Sequence, residues 1–363
     1  MRFSSYLPVA IARFFARLLR ASLLLIIGIL LFHTTELLAR PPHYTVPGQE
    51  TPVALLAAGR TSYLVTASSV FELRGQQPIR RYQSAAPIRC ALATDSVLWL
   101  GTAQGLLRLR IGRGAGEWVA RPLALPAPAG AAPITALLRD AAGTVWVGAA
   151  GYGMYQVVGN ELQSVLRVPD VTAAVLTADS SVWVGTNLGL HRWHRGAWTR
   201  YNEEGVANHE IPDNLVNKLL LDNGGSLWVL MSDAITVFEN ASQAGGGAGH
   251  LPTVKYLGRP GNEVYSVAYL PGRGHVFATA MGLLLLPSQP QGELAHFEAT
   301  TDKVETPQAL VPLTVAGTAI TGSCLLQVDT HQRIWVVQPG SVRAWQAKDF
   351  RVTAPVVARR PGA

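Results

Sequence analysis

The chain predicts an all-β fold, a seven-bladed β-propeller. Three observations carry that prediction. An apolar strand with a central aromatic recurs seven times, at Tyr63, Trp99, Trp146, Trp183, Trp228, Phe277 and Trp335, spaced 36 to 58 residues apart. Turn-forming residues bound every copy, within a total of 35 Gly and 23 Pro. No helical periodicity appears after residue 40. A unit this short cannot bury both faces of its own sheet, so it must stack on its neighbours. Seven stacked four-stranded units close into a ring.

The first element, residues 1–39, reads as a targeting segment. The stretch MRFSSYLPVAIARFFARLLR carries Arg2, Arg13, Arg17 and Arg20 and precedes the apolar run Ala21 to Phe32. That run is short for a membrane span and suits the apolar region of an export signal. It is either a cleaved signal peptide or a retained signal anchor, which implies a periplasmic or secreted body with membrane contact only through this segment. Residues 40–50 read as a linker, 51–356 as the propeller and 357–363 as a C-terminal tail. Which terminus closes the ring is open at this point. Residues 44–53 and 348–356 both have the pattern of an outer strand.

The stretch from Asp179 to Tyr201 displays the repeat most fully. A turn at Asp179–Ser181 leads into VWVGT, a second turn at Asn187–Gly189 into LHRW, and a third at Arg195-Gly196 into WTRY. A first strand precedes each aromatic. Ile134, Val171 and Val216 each lie twelve residues before their tryptophan, which fixes one register through three blades. Asp140, Asp222 and Asp329 lie six residues before theirs, at the first hairpin, where the carboxylate bonds backbone amides. Gly101, Gly148 and Gly185 follow the aromatic by two, where a side chain would crowd a neighbouring strand.

Composition removes several classes of function. Hydrophobic content of 48% against 15% charged residues excludes a disordered chain. Much of the formal charge of +7 lies in the N-terminal arginines, and the mildly basic body has no basic run interleaved with aromatics, so no nucleic-acid partner is expected. Cys90 and Cys324 belong to no CxxC or Cys/His cluster, so no metal or cofactor is expected and both read as free thiols in first strands. His191 and His194 lie three apart on a strand and point to opposite faces, which argues against a shared metal and reads as edge or solvated histidines. There is no G-x-S-x-G elbow, and AGGGAG opens no helix, so it reads as a connection.

The segment VWVGTNLGLHRW, with its preceding turn, resembles the propeller repeat of two-component regulators, the periplasmic sensor domains of hybrid histidine kinases. Trp183, Gly185, Thr186, Gly189 and Leu190 match the pattern W-[VI]-G-T-x-x-G-L, and IPDNLV from Ile211 to Val216 matches its tail. Trp99, Gly101, Thr102, Gly105 and Leu106 repeat the match in blade two. The resemblance implies an extracytoplasmic ligand-binding or scaffold module, in a family whose ligands are often carbohydrates. The family's second propeller, sandwich domain and kinase are not legible in the chain, so a separate signalling protein would be its partner.

The candidate binding residues follow from propeller topology. Loops entering the first strands share a rim with loops joining the second and third strands. Gln104, Tyr152, Asn187 and Asp233 come from the latter, and Glu203, His209 and Asp213 from the long loop before blade five. A flat aromatic with amides and carboxylates suits a sugar. The expectation is a non-enzymatic module that binds a glycan or a partner protein. The alternative is a propeller lyase or glycosidase, which needs acids, bases or arginines converging from several blades, whereas here they crowd one connection.

Overall fold

The structure is a computed structural model. It describes residues 42–353 except 60, 75–76, 113–117, 204–210, 233–234, 239–240, 242–252, 255–262 and 289–309, and the side chains of 253–254. The protein is a seven-bladed β-propeller of antiparallel sheets. There is no α-helix among the described residues, and hence no helix long and apolar enough to cross a membrane. The targeting segment, the tail, His209 and Asp233 lie outside the described residues.

The inner strands of the seven blades are Pro52–Ala58, Ile88–Ala93, Ile134–Arg139, Val171–Leu176, Val216–Leu221, Val264–Leu270 and Leu325–Val328. Every aromatic that indexes the repeat lies in the second strand of its sheet. Trp146, Trp183 and Trp228 are fully buried. Each packs against the following blade: Trp146 meets Val182 and Val184, and Trp183 meets Leu227, Val229 and Phe238. The core is therefore a ring of cores between sheets, not one central cluster.

The hairpin aspartates do more than bond amides. Asp222 accepts the indole N–H of Trp228 at 2.9 Å through one oxygen and the amides of Gly224 and Ser226 through the other. Asp140 and Asp329 hold Trp146 and Trp335 the same way, at 2.8 and 3.0 Å. Blade four has Thr177 in that place, and Trp183 donates to its hydroxyl at 3.3 Å. Each carboxylate thus ties the turn to the core aromatic of its own blade.

Side chains of the inner strands link successive blades. A register shift after the first residue of these strands marks a β-bulge in blades one to six. In blades three and four the bulged residue is a threonine, and it donates to the next blade. Thr135 reaches the carbonyl of Val171 and Thr172 that of Val216, each at 2.6 Å. Lys218 and Ser266 continue the series to Val264 and Cys324 at 3.0 and 3.1 Å.

The termini divide the closure between two blades. His43–Thr45 pairs with Ser341–Trp345 as the outer strand of blade seven. The segment read as a linker, 40–50, therefore contains a strand of the ring. Phe350–Val352 pairs instead with Val311–Val315, the outer strand of blade six. That blade is larger than the four strands expected, because Thr318–Ala319 also turns back onto it. Cys90 is half-buried in the inner strand of blade two, and Cys324 is buried just ahead of the inner strand of blade seven. Both are free, as expected.

Candidate functional site

In blades two, four and six the turns joining second to third strands are built by one device. In blade four, the Thr186 hydroxyl donates to the carbonyl of Gly189 at 2.8 Å and accepts the amide of Leu188 at 3.0 Å. Thr102 and Thr279 make the same pair of bonds in blades two and six. The closing residue takes a positive φ, 108° at Gly189 and 126° at Gly282, which glycine adopts without strain. This geometry leaves the residue two after the threonine at the tip of the turn, facing solvent. It is Gln104 in blade two, Leu188 in blade four and Met281 in blade six.

The rim carries more exposed apolar surface than the sequence reading expected. Leu188 is 41% exposed, Met281 73% and Tyr152 37%. Leu215, at 48%, joins them from the loop entering blade five. That loop is bonded to the blade-four turn, because Gly189 donates its amide to the carbonyl of Asn214 at 2.8 Å. Leu188 and Leu215 therefore stand on neighbouring, mutually braced loops. Leu188, Leu215 and Met281 were missed from sequence. The signal was an apolar residue at the tip position of the T-x-x-G turn, where Gln104 stands in blade two.

Two of the four described polar residues expected at the site are engaged in holding it. Asp213 accepts the amide of Leu215 at 2.9 Å and that of Ser232 at 3.2 Å, so its carboxylate braces two loops. Asn187 donates to Asp170 at 3.1 Å, and its amide oxygen is buried without a partner among the described residues. Gln104 and Glu203 are exposed, and the backbone amide of Glu203 is held by Asn214 at 3.0 Å. Below the rim, burial pulls the Lys218 ammonium below its ordinary pKa, against the opposing charge of Glu263, and the Lys218 amine lies 5.9 Å from the ring of Tyr265. No group of three metal-ligating side chains occurs among the described residues.

The two histidines of blade four face opposite sides of the sheet. His191 pairs across the sheet with Arg200 on the side toward blade three. Its ring is buried, contrary to the solvated position expected, because Trp198 covers it edge-on at 6.4 Å between centroids. Burial and the nearby Arg200 charge lower its pKa to about 4. His194 lies on the other side, where its Nδ1 is 2.8 Å from the hydroxyl of Ser181. Ser181 in turn bonds Asp179 at 2.8 Å and accepts from Arg192 at 3.0 Å. Ser181 is fully buried and saturated, so this Ser/His/Asp grouping offers no nucleophile to a substrate.

Comparison with known proteins finds no matching family model and no matching curated protein. Among solved structures, a streptogramin B lyase is similar at 10% identity and a TM-score of 0.55, over 86% of this chain and 97% of that one. The extracellular domain of a hybrid two-component system, BT3049 from B. thetaiotaomicron, is similar at 14% identity and a TM-score of 0.55. That match covers 81% of this chain and spans only 40% of the domain. YCF48 bound to a D1 peptide is similar at 14% identity and a TM-score of 0.54, over 85% of this chain and 98% of that one. The likeness is one of fold. It includes the sensor propellers that the repeat resembles, and it includes an enzyme.

Proposed function

We propose that the chain is an exported, non-catalytic binding module whose rim docks the apolar surface of a partner protein. The observation that carries this reading is the set of four exposed apolar side chains, Tyr152, Leu188, Leu215 and Met281, contributed to one rim by adjacent blades. Exposed apolar side chains grouped in this way mark interaction surfaces more often than substrate sites. Of the described carboxylates at the proposed rim site, Asp170 and Asp213 are already bonded within the loops and Glu203 is exposed, which leaves few free groups for acid–base chemistry. The same engagement weakens the rim as a sugar site, because Asn187, Asp170 and Asp213 are committed within the loops and only Gln104 and Glu203 are offered outward. The lyase shares a fold with this chain at 10% identity, and no catalytic residue comes with that likeness.

Export rests on the basic and apolar pattern of residues 1–39 and would place the body in the periplasm or outside the cell. Cell fractionation and intact-mass analysis check it, and a soluble cytoplasmic product still beginning at Met1 would contradict it. Docking is tested with a photo-crosslinking side chain placed at position 188 or 281 in the producing cell. Val119, exposed at the opposite end of blade two, is the control. A discrete crosslinked protein is expected from 188 and 281 and not from 119. Crosslinks from 119 alone, or equally from all three, would move the partner off this rim.

A further inference from the structure

The rim carries cations as well as apolar side chains, and one sector places them together. The loop entering blade four is bound to the second-to-third turn of blade three. Ala150 bridges Asp170, and a Cβ on Gly153 would meet the amide nitrogen of Val168 at 3.1 Å. Tyr152 and Arg167 therefore stand on neighbouring, mutually braced loops. The turn of blade four joins the same loop, where Asn187 donates to Asp170 at 3.1 Å. Leu188 follows, and its carbonyl accepts the Nε–H of Arg200, from the outer strand of that blade, at 2.9 Å. Arg167 and Arg200 are both exposed. The two Nη groups of Arg200 and the whole guanidinium of Arg167 make no hydrogen bond or ion pair with another described residue. Asp170 is the acid of these loops and is already taken by Asn187, while Glu203 stands on the loop toward blade five.

We infer, resting on the rim as the docking surface proposed above, that the partner enters this sector with an acidic segment. Its apolar side chains lie against Tyr152 and Leu188, and a carboxylate sits at Arg200 and Arg167. A loose surface arginine gains little from an ion pair, because fixing its long side chain costs entropy. Arg200 is already held by its Nε, so the end-on fork of its two Nη groups is set in advance for the two oxygens of one carboxylate. Beside Leu188 that carboxylate is next to an apolar contact, where water is excluded and the pair gains strength. A wholly apolar partner laid over this sector would cover two guanidinium groups with no counter-charge, which is costly. A basic partner would be repelled.

The test is selection of random dodecapeptides displayed on phage against the full chain, followed by titration of the enriched peptides as synthetic copies. Enriched sequences are expected to set Asp or Glu beside large apolar residues, in excess over the unselected pool. Their affinity should fall about tenfold or more with Arg200→Gln, several-fold with Arg167→Gln, and likewise when amides replace the peptide's own acids. Arg200→Lys keeps the charge without the fork and should recover part of the loss. Arg80→Gln, exposed on blade one, is the control, and thermal melts of all variants separate lost binding from lost folding. Enriched peptides without acids, or binding unchanged in folded Arg200→Gln, would overturn the acidic partner; if Leu188→Ser still abolishes that binding, the docking surface itself stands. Enrichment of nothing, or binding unchanged in both Arg200→Gln and Leu188→Ser, would overturn both.

Discussion

Val216, the first residue of the inner strand of blade five, occupies the space that a side chain at Gly185 of blade four would need. A Cβ built on Gly185 would lie 2.6 Å from Cγ1 of Val216 and 3.1 Å from the hydroxyl of Thr172. Gly148 stands to Val171, and Gly101 to Ile134, in the same way, each at 2.7 Å. The glycine two residues after the tryptophan is therefore a socket for the next blade's β-branched residue. The spacing of twelve between that residue and its own tryptophan is the same contact seen from the other side.

Gly185→Ala should destabilise the protein by about 1–3 kcal/mol through overpacking. Val216→Ala empties the socket, so the double mutant should be more stable than the sum of the single effects predicts. Urea unfolding midpoints measure both. Additive losses would mean that the two residues do not share the space.

Removing Asp222 strands the indole of Trp228, two backbone amides and the ring of His275, whose Nε2 lies 3.1 Å away. Asp222→Ala should cost about 3–5 kcal/mol, as expected for one partner lost from a buried charged network. Asp140→Ala lacks the histidine and should cost less. Equal losses would show that the His275 contact contributes nothing.

Acid should weaken the protein in two separable windows. His191 titrates near 4 in the folded chain, because of burial and Arg200, against an ordinary value of 6.5. The unfolded chain takes up that proton first, so stability is complete above about pH 6.5 and falls as pH drops to 4, by about 3 kcal/mol in all. Asp222, although desolvated by burial, is held below the ordinary carboxylate value by His275 and Trp228. Its contribution is present above the unfolded carboxylate pKa and is lost as pH falls through the lower folded value. His191→Leu should flatten the upper window and leave the lower one. An unchanged slope between pH 6.5 and 4 would remove His191 as its source.

Burial pushes the thiols of Cys90 and Cys324 up to about 12. Neither should react with a disulfide reagent at pH 8 while the protein is folded, because the thiolate is the reactive form. Two thiols per chain should titrate once it is denatured. Detection of none after denaturation would mean a disulfide and a different spacing of blades two and seven.

The repeat was legible because its signals are local. Trp183, Gly185, Thr186 and Gly189 each answer a constraint within one hairpin or against the next blade. Ring closure was not legible, because His43–Thr45 and Phe350–Val352 have equal claims as isolated strands. The edge of Val311–Val315 decides between them by taking Phe350–Val352, and blade seven is left to the N-terminal strand. At the rim, Gln104 stands at a turn tip, whereas Asn187 comes one residue before the tip residue Leu188 and is bonded to Asp170. Whether a carboxylate there is free depends partly on a second loop: Asp213 accepts Leu215 within its own turn, and its other oxygen is taken because Ser232 approaches it. The burial of His191 likewise depends on Trp198 lying opposite its neighbour, which no strand pattern states on its own.

The central claim is that Leu188, Leu215 and Met281 form a docking surface for a partner protein. The direct measurement is the dissociation constant of the protein captured by crosslinking, determined for the native chain and for Leu188→Ser, Leu215→Ser and Met281→Ser combined. The side chains are exposed, so the triple variant should melt with the native chain. The predicted result is binding roughly 100-fold weaker or more, the scale of about 3 kcal/mol expected when central apolar anchors are lost. A folded triple variant that binds the partner with unchanged affinity would contradict the account.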